Sequence, residues 1–134
     1  MPVSVGWSAA NQSVLHFTFE EPYNWSELER AMEVARQYHA EMNRMTVWMF
    51  DFSEVTGLPA GAIAVGRRIV RDTIPNRHPD MIILGANARV KSVWRVFEQL
   101  LGERYNVNLH FARTQDDIDY AVEHLHGVQA EHLS

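Results

Sequence analysis

The sequence predicts one α/β domain built on a mostly parallel mixed sheet, with the element order ββαβαβαβα. Two short runs, residues 46–52 and 81–86, are apolar almost throughout and are separated by helical segments. Such runs are typical of central strands in a parallel sheet, because both faces of these strands are covered. Two alternating runs near the N-terminus predict a β-hairpin that adds an antiparallel strand. The 134 residues fit a single domain, with an ordered core expected over about 3–126.

The N-terminal hairpin is predicted from side chains that alternate between apolar and either polar or small. The apolar positions are Val3, Val5 and Trp7 in the first strand, and Leu15, Phe17 and Phe19 in the second. Because successive side chains of a strand point to opposite faces, each strand has one face for the core. Residues 9–13, between the two runs, predict the turn.

Four helices are predicted from apolar residues three and four positions apart. Ser26 with Glu29 has the spacing of a capping box at the start of the first helix, and Thr114 with Asp117 has it at the start of the last. The second helix is expected to end at Pro75 and a loop to follow, because proline cannot continue the hydrogen-bond ladder. Further apolar positions define the third helix and the last strand: Val90, Val93, Trp94, Phe97, Leu100, Leu101 and Tyr105, then Val107, Leu109 and Phe111.

Composition and charge exclude several classes of function. The chain has no cysteine, which rules out disulfides, thiolate nucleophiles and thiolate metal sites. Its net charge is −5 with both signs interleaved, and this balance argues against a nucleic-acid partner, which needs a basic stripe. No apolar run reaches the ~18 residues of a membrane span, and the first residues lack the pattern of a signal peptide. A cytoplasmic protein is therefore expected.

Motifs for phosphate binding, serine hydrolysis and metal binding are missing. The sequence has no Gly-rich loop ending in Gly-Lys-Ser/Thr, no Gly-x-Gly-x-x-Gly after a strand and no Gly-x-Ser-x-Gly elbow. Among the histidines, His124 and His126 point roughly 160° apart on their helix. His16 and His110 could meet only if their strands were neighbours, and His78 lies in a predicted loop. We therefore expect no cofactor and no metal.

Asp51 ends a predicted central strand, where carboxylates in α/β folds often serve ligands. The favoured interpretation is instead that Asp51 accepts hydrogen bonds from backbone N–H groups in the turn that follows. A catalytic role would need a second titrating group, and the sequence nominates none beside it. A non-enzymatic protein is therefore expected, and an enzyme using Asp51 with a histidine is the least favoured alternative.

Residues 50–55, Phe-Asp-Phe-Ser-Glu-Val, resemble the strand-to-loop motif of STAS domains, the fold of anti-sigma-factor antagonists and of the cytoplasmic tails of sulfate transporters. The order of elements is similar over most of the chain. The resemblance implies a STAS-like fold and a regulatory module that binds another protein. In that family a phosphorylatable serine begins the helix after the loop, but residues 58–62 here are Leu-Pro-Ala-Gly-Ala. The nearest hydroxyls belong to Ser53 and Thr56, so the phosphoserine switch is expected to be absent.

The start of the second helix is the predicted partner-binding surface. Pro59 suits the first helical position, where its missing N–H costs nothing. Ala60 and Gly61 leave the helix start open, so that its free N–H groups could receive an anion or an acidic side chain. Arg67 and Arg71 are one turn apart and share a face, which also suits an acidic partner. Close packing of the small residues and solvation of the arginines remain as alternatives. With the two loop hydroxyls, the predicted partner-binding residues are Ser53, Thr56, Pro59, Ala60, Gly61, Arg67 and Arg71.

Two further interpretations stay open at this point. A domain that binds a small ligand is the alternative function, because the tryptophans could line a pocket for a lipid or a nucleotide. The tryptophans are Trp7, Trp25, Trp48 and Trp94, and such residues more often belong to the core. A homodimer is also compatible with the sequence, since the hairpin offers an unpaired edge strand.

Overall fold

The computed structural model describes residues 2–9, 13–41, 44–72 and 74–125. The strands are β1 (Val3–Trp7), β2 (Val14–Glu20), β3 (Thr46–Glu54), β4 (Arg77–Leu84) and β5 (Leu109–Ala112). The helices are α1 (Trp25–Ala40), α2 (Ala62–Arg71), α3 (Ala88–Tyr105) and α4 (Gln115–Glu123). Within the described ranges, no helix is both long and apolar enough to cross a bilayer. Most of the predicted turn at 9–13, and the predicted core limit at 126, lie outside these ranges.

The strands form one mixed sheet in the order β1-β2-β3-β4-β5. Strand β1 pairs antiparallel with β2, and the strands from β2 to β5 pair parallel with one another. The register places Phe17 beside Phe50, and Phe50 beside Ile83. The predicted α/β class, element order, hairpin and mostly parallel sheet are therefore confirmed.

Alternation along the strands divides the core into two layers. The sheet face that carries Phe17, Trp48 and Ile83 packs against α1, α2 and α3. The opposite face, which carries Met49 and Ile82, packs against α4. The central strands are thus covered on both faces, which is why their sequences are apolar almost throughout.

The start of α1 differs from its prediction. Its capping box is formed by Asn24 and Glu27, so the prediction for Ser26 and Glu29 is wrong. The Asn24 side chain accepts from the Glu27 N–H at 3.1 Å, and the Glu27 carboxylate accepts from the Asn24 N–H at 3.1 Å. Asparagine caps helices as well as serine does, so spacing alone does not choose between the two pairs. At α4 the predicted capping box is confirmed.

The segment between α2 and β4 also differs from its prediction. Helix α2 ends at Arg71, and Asp72 is already extended (φ −67°, ψ 129°), so the helix does not reach Pro75. Strand β4 begins at Arg77, so residues 77–80 of the loop predicted over 75–80 belong to the strand. Polar residues suggested a loop there, but Asp80 is fully buried because neighbouring segments donate hydrogen bonds to its carboxylate.

Candidate functional site

The loop between β3 and α2 is held by side chains from two neighbouring connections. The Glu21 carboxylate, between β2 and α1, accepts hydrogen bonds from the backbone N–H and the hydroxyl of Thr56 at 2.8 and 2.9 Å. The indole N–H of Trp25, at the start of α1, donates to the Ala60 carbonyl at 2.9 Å. The side-chain amide of Asn87, between β4 and α3, donates to the Thr56 carbonyl at 3.0 Å. These contacts fix the backbone where it enters α2.

Helix α2 starts without a capping side chain. Its N-cap, Gly61, is left-handed at φ 90°, a conformation that strains a residue with a Cβ. The first turn carries no acidic residue, whereas α1, α3 and α4 each have a side-chain N-cap. Pro59 lies in the loop, and its prediction as the first helical residue is wrong because the helix begins at Ala62. The positive end of the α2 dipole is therefore not neutralised by its own first turn.

The exposed face of α2 is strongly basic. Ala64, Arg67, Arg68 and Arg71 lie on it, opposite the buried positions of the helix. Arg68 pairs with Glu29 of α1 at 2.8 Å. Among the described residues, no carboxylate lies within 4.0 Å of the Arg67 or Arg71 guanidinium. The β3–α2 loop and α2 contain no acidic residue although the chain has a net charge of −5, so this face is a local positive patch.

A groove of about 410 Å³ runs along this face, and we call it the α2 groove. It is lined by Trp25, Ala60, Gly61, Ala64, Val65, Arg67, Arg68 and Arg71. Four of the predicted partner-binding residues thus lie together, namely the two small residues of the loop end and Arg67 and Arg71. A second groove of about 520 Å³ separates α1 from α2, and residues of both charges line it. The α2 groove differs from it in combining apolar and small side chains with positive charge alone.

Ser53 and Thr56 do not line the α2 groove. Both residues are exposed, but their hydroxyls form hydrogen bonds with nearby carboxylates of the same chain. The Ser53 hydroxyl donates to Asp51 at 2.6 Å, and the Thr56 hydroxyl donates to Glu21. A Cβ at Gly85 would lie 2.2 Å from the Ser53 Oγ, so the β4–α3 turn packs directly on Ser53. The structure therefore separates the predicted surface into a groove and two hydroxyls that stabilise the adjoining backbone.

Asp51 has a histidine partner that the sequence does not nominate. Its Oδ2 lies 2.8 Å from Nε2 of His16 on the neighbouring strand β2. Its Oδ1 accepts hydrogen bonds from the backbone N–H and the hydroxyl of Ser53, at 3.0 and 2.6 Å. Partial burial raises the pKa of Asp51, but the hydrogen bonds from His16 and Ser53 outweigh burial and hold the pKa below its usual range. The predicted hydrogen bond from the backbone after Asp51 is present.

This cluster lacks the geometry of a nucleophile and its base. In a Ser–His–Asp triad the imidazole accepts the serine proton, whereas the Ser53 hydroxyl donates to the Asp51 carboxylate. Helix α4 covers β4 and β5, and the cluster lies beside it on the same sheet face, with the His16 side chain 31% exposed. The contact between His16 and Asp51 links β2 with β3.

Among the described residues, the other histidines do not assemble into a metal site. His110 pairs with the buried Asp80 at 3.0 Å, and two strands lie between His110 and His16. His78 lies in β4, where it is buried, and not in a loop, while His126 falls outside the described residues. In the part of the chain that the structure describes, no three His, Asp or Glu side chains are grouped to hold a metal ion.

The tryptophans contribute mainly to the core. Trp48 and Trp94 are 0% and 2% exposed, and Trp7 packs edge-on against Tyr38 at 5.5 Å. Trp25 is the tryptophan that lines the α2 groove. These positions give no support to a shared lipid or nucleotide pocket.

Sequence reasoning misses three side chains that shape this region: Glu21, Trp25 and Asn87. Glu21 and Asn87 contact the β3–α2 loop from connections that follow neighbouring strands, and Trp25 contacts it from the first residue of α1. A general signal exists, because the loops after parallel strands gather at one edge of a sheet. It does not indicate which side chain reaches which carbonyl, since that depends on the register of the strands.

Comparisons with known proteins identify no relative. No protein-family model matches the chain, and neither a curated protein nor a solved structure matches it. The STAS resemblance therefore stays a prediction that depends on residues 50–55 and the order of elements.

Proposed function

We propose that this chain is a non-enzymatic regulatory module that binds an acidic segment of another protein in the α2 groove. The observation that carries the proposal is that Arg67 and Arg71, which have no carboxylate partner in the described structure, line the same groove as the uncapped start of α2. Arginine forms strong charge-assisted hydrogen bonds with carboxylates, and a helix N-terminus favours negative charge. The resemblance of residues 50–55 to STAS domains points to the same class of function.

The hydrogen bonds that hold the loop at the start of the groove support a binding role. Glu21 and Asn87 hold the loop that leads into α2, and Trp25 holds the backbone at Ala60. A surface already in its bound conformation loses less entropy when a partner docks. The Trp25 ring and Ala64 add apolar contact area, which surface charge pairs need because exposed ion pairs contribute only about 0–1 kcal/mol each.

Two features support a constitutive and non-enzymatic module. The oxygens of Asp51 are engaged by His16 and Ser53, in an arrangement without a base for a nucleophile. Residues 58–62 contain no hydroxyl, so phosphorylation at the start of α2 would not switch the binding.

Charge reversal tests this function. A wild-type chain used as bait in its native lysate is expected to recover a partner, and Arg67→Glu/Arg71→Glu is expected to weaken that partner by at least about tenfold, because two attractions become repulsions. The matched control is Arg104→Glu, which reverses an exposed arginine in the last turn of α3. Binding to the purified partner should also weaken as salt rises.

Equal retention of the partner by the reversed variant and the control would place the contact elsewhere and contradict the proposal. Recovery of no partner by the wild-type chain would also count against it. Circular dichroism and a urea midpoint equal to those of the wild type would show that the reversed variant is folded.

A further inference from the structure

The exposed face of α4 is the acidic counterpart of the α2 groove. Asp116, Asp119 and Glu123 are exposed on it, and within the described residues no arginine or lysine lies within 4.0 Å of their carboxylates. Tyr120 projects among them with 64% of its surface exposed, and its ring stacks on His124 at 3.9 Å. The opposite face of the helix is buried against the sheet, so the acidic face is directed away from the molecule.

The two faces are complementary in charge and in shape, and their charged residues have the same spacing. Arg67 and Arg71 are one helical turn apart on α2, and Asp119 and Glu123 are one turn apart on α4, which is about 6 Å along each axis. The α4 face has the large Tyr120 ring beside its charges, whereas the α2 groove has the small residues Ala60, Gly61 and Ala64 beside its arginines, next to the partly buried Trp25. Tyrosine and tryptophan are also enriched at protein interfaces, where a mostly apolar ring can dock.

We infer that the α2 groove of one copy of this chain binds the α4 face of a second copy. The inference rests on the proposed function, since it uses the same groove and names one acidic segment that fits it. An outside partner with an acidic segment would then compete with self-association for the groove.

The position of the two helices dictates the kind of assembly. Helix α2 packs on one face of the sheet and α4 packs on the other, so one molecule presents the two surfaces on opposite sides. A contact between α2 and α4 is therefore heterologous, and each added copy leaves one groove and one α4 face free. The expected product is an open chain of copies that lengthens with concentration.

The contact is expected to be weak and sensitive to salt. Two helix faces bury an area at or below the low end of specific interfaces, where association is transient. Much of the attraction comes from exposed charges, which salt screens over about 10 Å at 0.1 M. The weight-average mass should therefore rise with protein concentration at low salt and return to that of a single chain at about 0.5 M salt.

Neutralising variants test the contact by sedimentation velocity. Arg67→Gln/Arg71→Gln removes the charge of the groove, and Asp119→Asn/Glu123→Gln removes charge from the α4 face. Each variant alone is expected to stay at the mass of a single chain. An equal mixture is expected to form a species of two chains and nothing larger, because only one intact groove and one intact α4 face can meet. The matched control, Arg104→Gln, is expected to associate as the wild type does.

A wild-type chain that keeps the single-chain mass at every concentration in low salt would overturn the inference. Association that persists in both neutralised variants would also overturn it, and would favour pairing through the edge strand β1. If self-association is absent but a lysate partner still depends on Arg67 and Arg71, only this inference fails and the proposed function stands. If the copies associate as described but no other partner is recovered, the groove contact stands and the proposed regulatory binding fails.

Discussion

Buried polar side chains join neighbouring elements of this core, and His39 of α1 is the most informative of them. Its Nε2 accepts a hydrogen bond from the Trp48 indole N–H at 2.9 Å. The Arg77 guanidinium lies over the ring of Trp48, 4.9 Å from its centroid. Burial lowers the pKa of His39, and the nearby Arg77 charge lowers it further. Burial also lowers the pKa of Arg77, to about 10, so this arginine keeps its charge at neutral pH. The fold therefore requires a neutral imidazole at this position.

Acid should destabilise the fold through His39. Because its folded pKa lies below the unfolded value of about 6.5, its contribution is present above that pH and is lost as the pH falls below it. We expect His39→Gln, whose amide oxygen can still accept from Trp48, to lose less unfolding free energy between pH 7.5 and 5.5 than the wild type does, by about 1 kcal/mol. Urea unfolding at the two pH values measures this difference. An unchanged slope in His39→Gln would refute the assignment.

At the scale of elements, the position of α2 depends on its contact with α3. A Cβ at Gly66 would lie 2.7 Å from the Phe97 ring and 3.3 Å from the Trp94 ring. Glycine in a helix interior normally costs about 1 kcal/mol relative to alanine. Gly66 is therefore explained by close packing, which brings α2 against α3 and turns the arginines of the α2 groove outward.

Replacing this glycine should weaken the fold. In Gly66→Ala the gain in helix propensity of about 1 kcal/mol is opposed by overpacking against Phe97, which typically costs about 1–3 kcal/mol. We expect a net loss of about 1 kcal/mol in urea unfolding. Gly6→Ala is the control because its Cβ would meet nothing within 4 Å, and its effect should stay within about 0.5 kcal/mol. A Gly66→Ala variant more stable than the wild type would show that α2 can move away from α3 without cost.

The elements also show how local signals compete. The capping boxes of α1 and α4 follow the same rule, yet only the α4 box could be assigned, because the start of α1 offers Asn24 as well as Ser26. Strand β4 was predicted too short because His78 and Asp80 are polar. These side chains can be buried only because segments distant in sequence supply hydrogen bonds. The Asn108 backbone N–H, for example, donates to the Asp80 carboxylate at 3.0 Å.

On the scale of the whole molecule, the two core layers share one sheet. Strand β3 gives Trp48 and Phe50 to the layer under α1, α2 and α3, and Val47 and Met49 to the layer under α4. Removing either layer would expose one face of the same buried strand. The chain should therefore unfold as one cooperative unit.

This cooperativity can be tested with two probes. Tryptophan fluorescence reports the larger layer through Trp48 and Trp94, and far-UV circular dichroism reports the helices, including α4. We expect the two urea transitions to coincide, as for most single domains of this size. An earlier transition seen only by circular dichroism would mean that α4 unfolds separately, and it would contradict the shared sheet as the unit of stability.

The sequence by itself determined the α/β class, the order of elements and the hairpin. These features depend on side-chain periods of 2 and 3.6, which are local properties of the chain. Tertiary structure alone decided the surroundings of the α2 groove and the Asp51 cluster. The Trp25–Ala60 and His16–Asp51 contacts each join residues 35 apart in sequence. Such residues meet only after strand register and helix packing are established, and no local pattern encodes either.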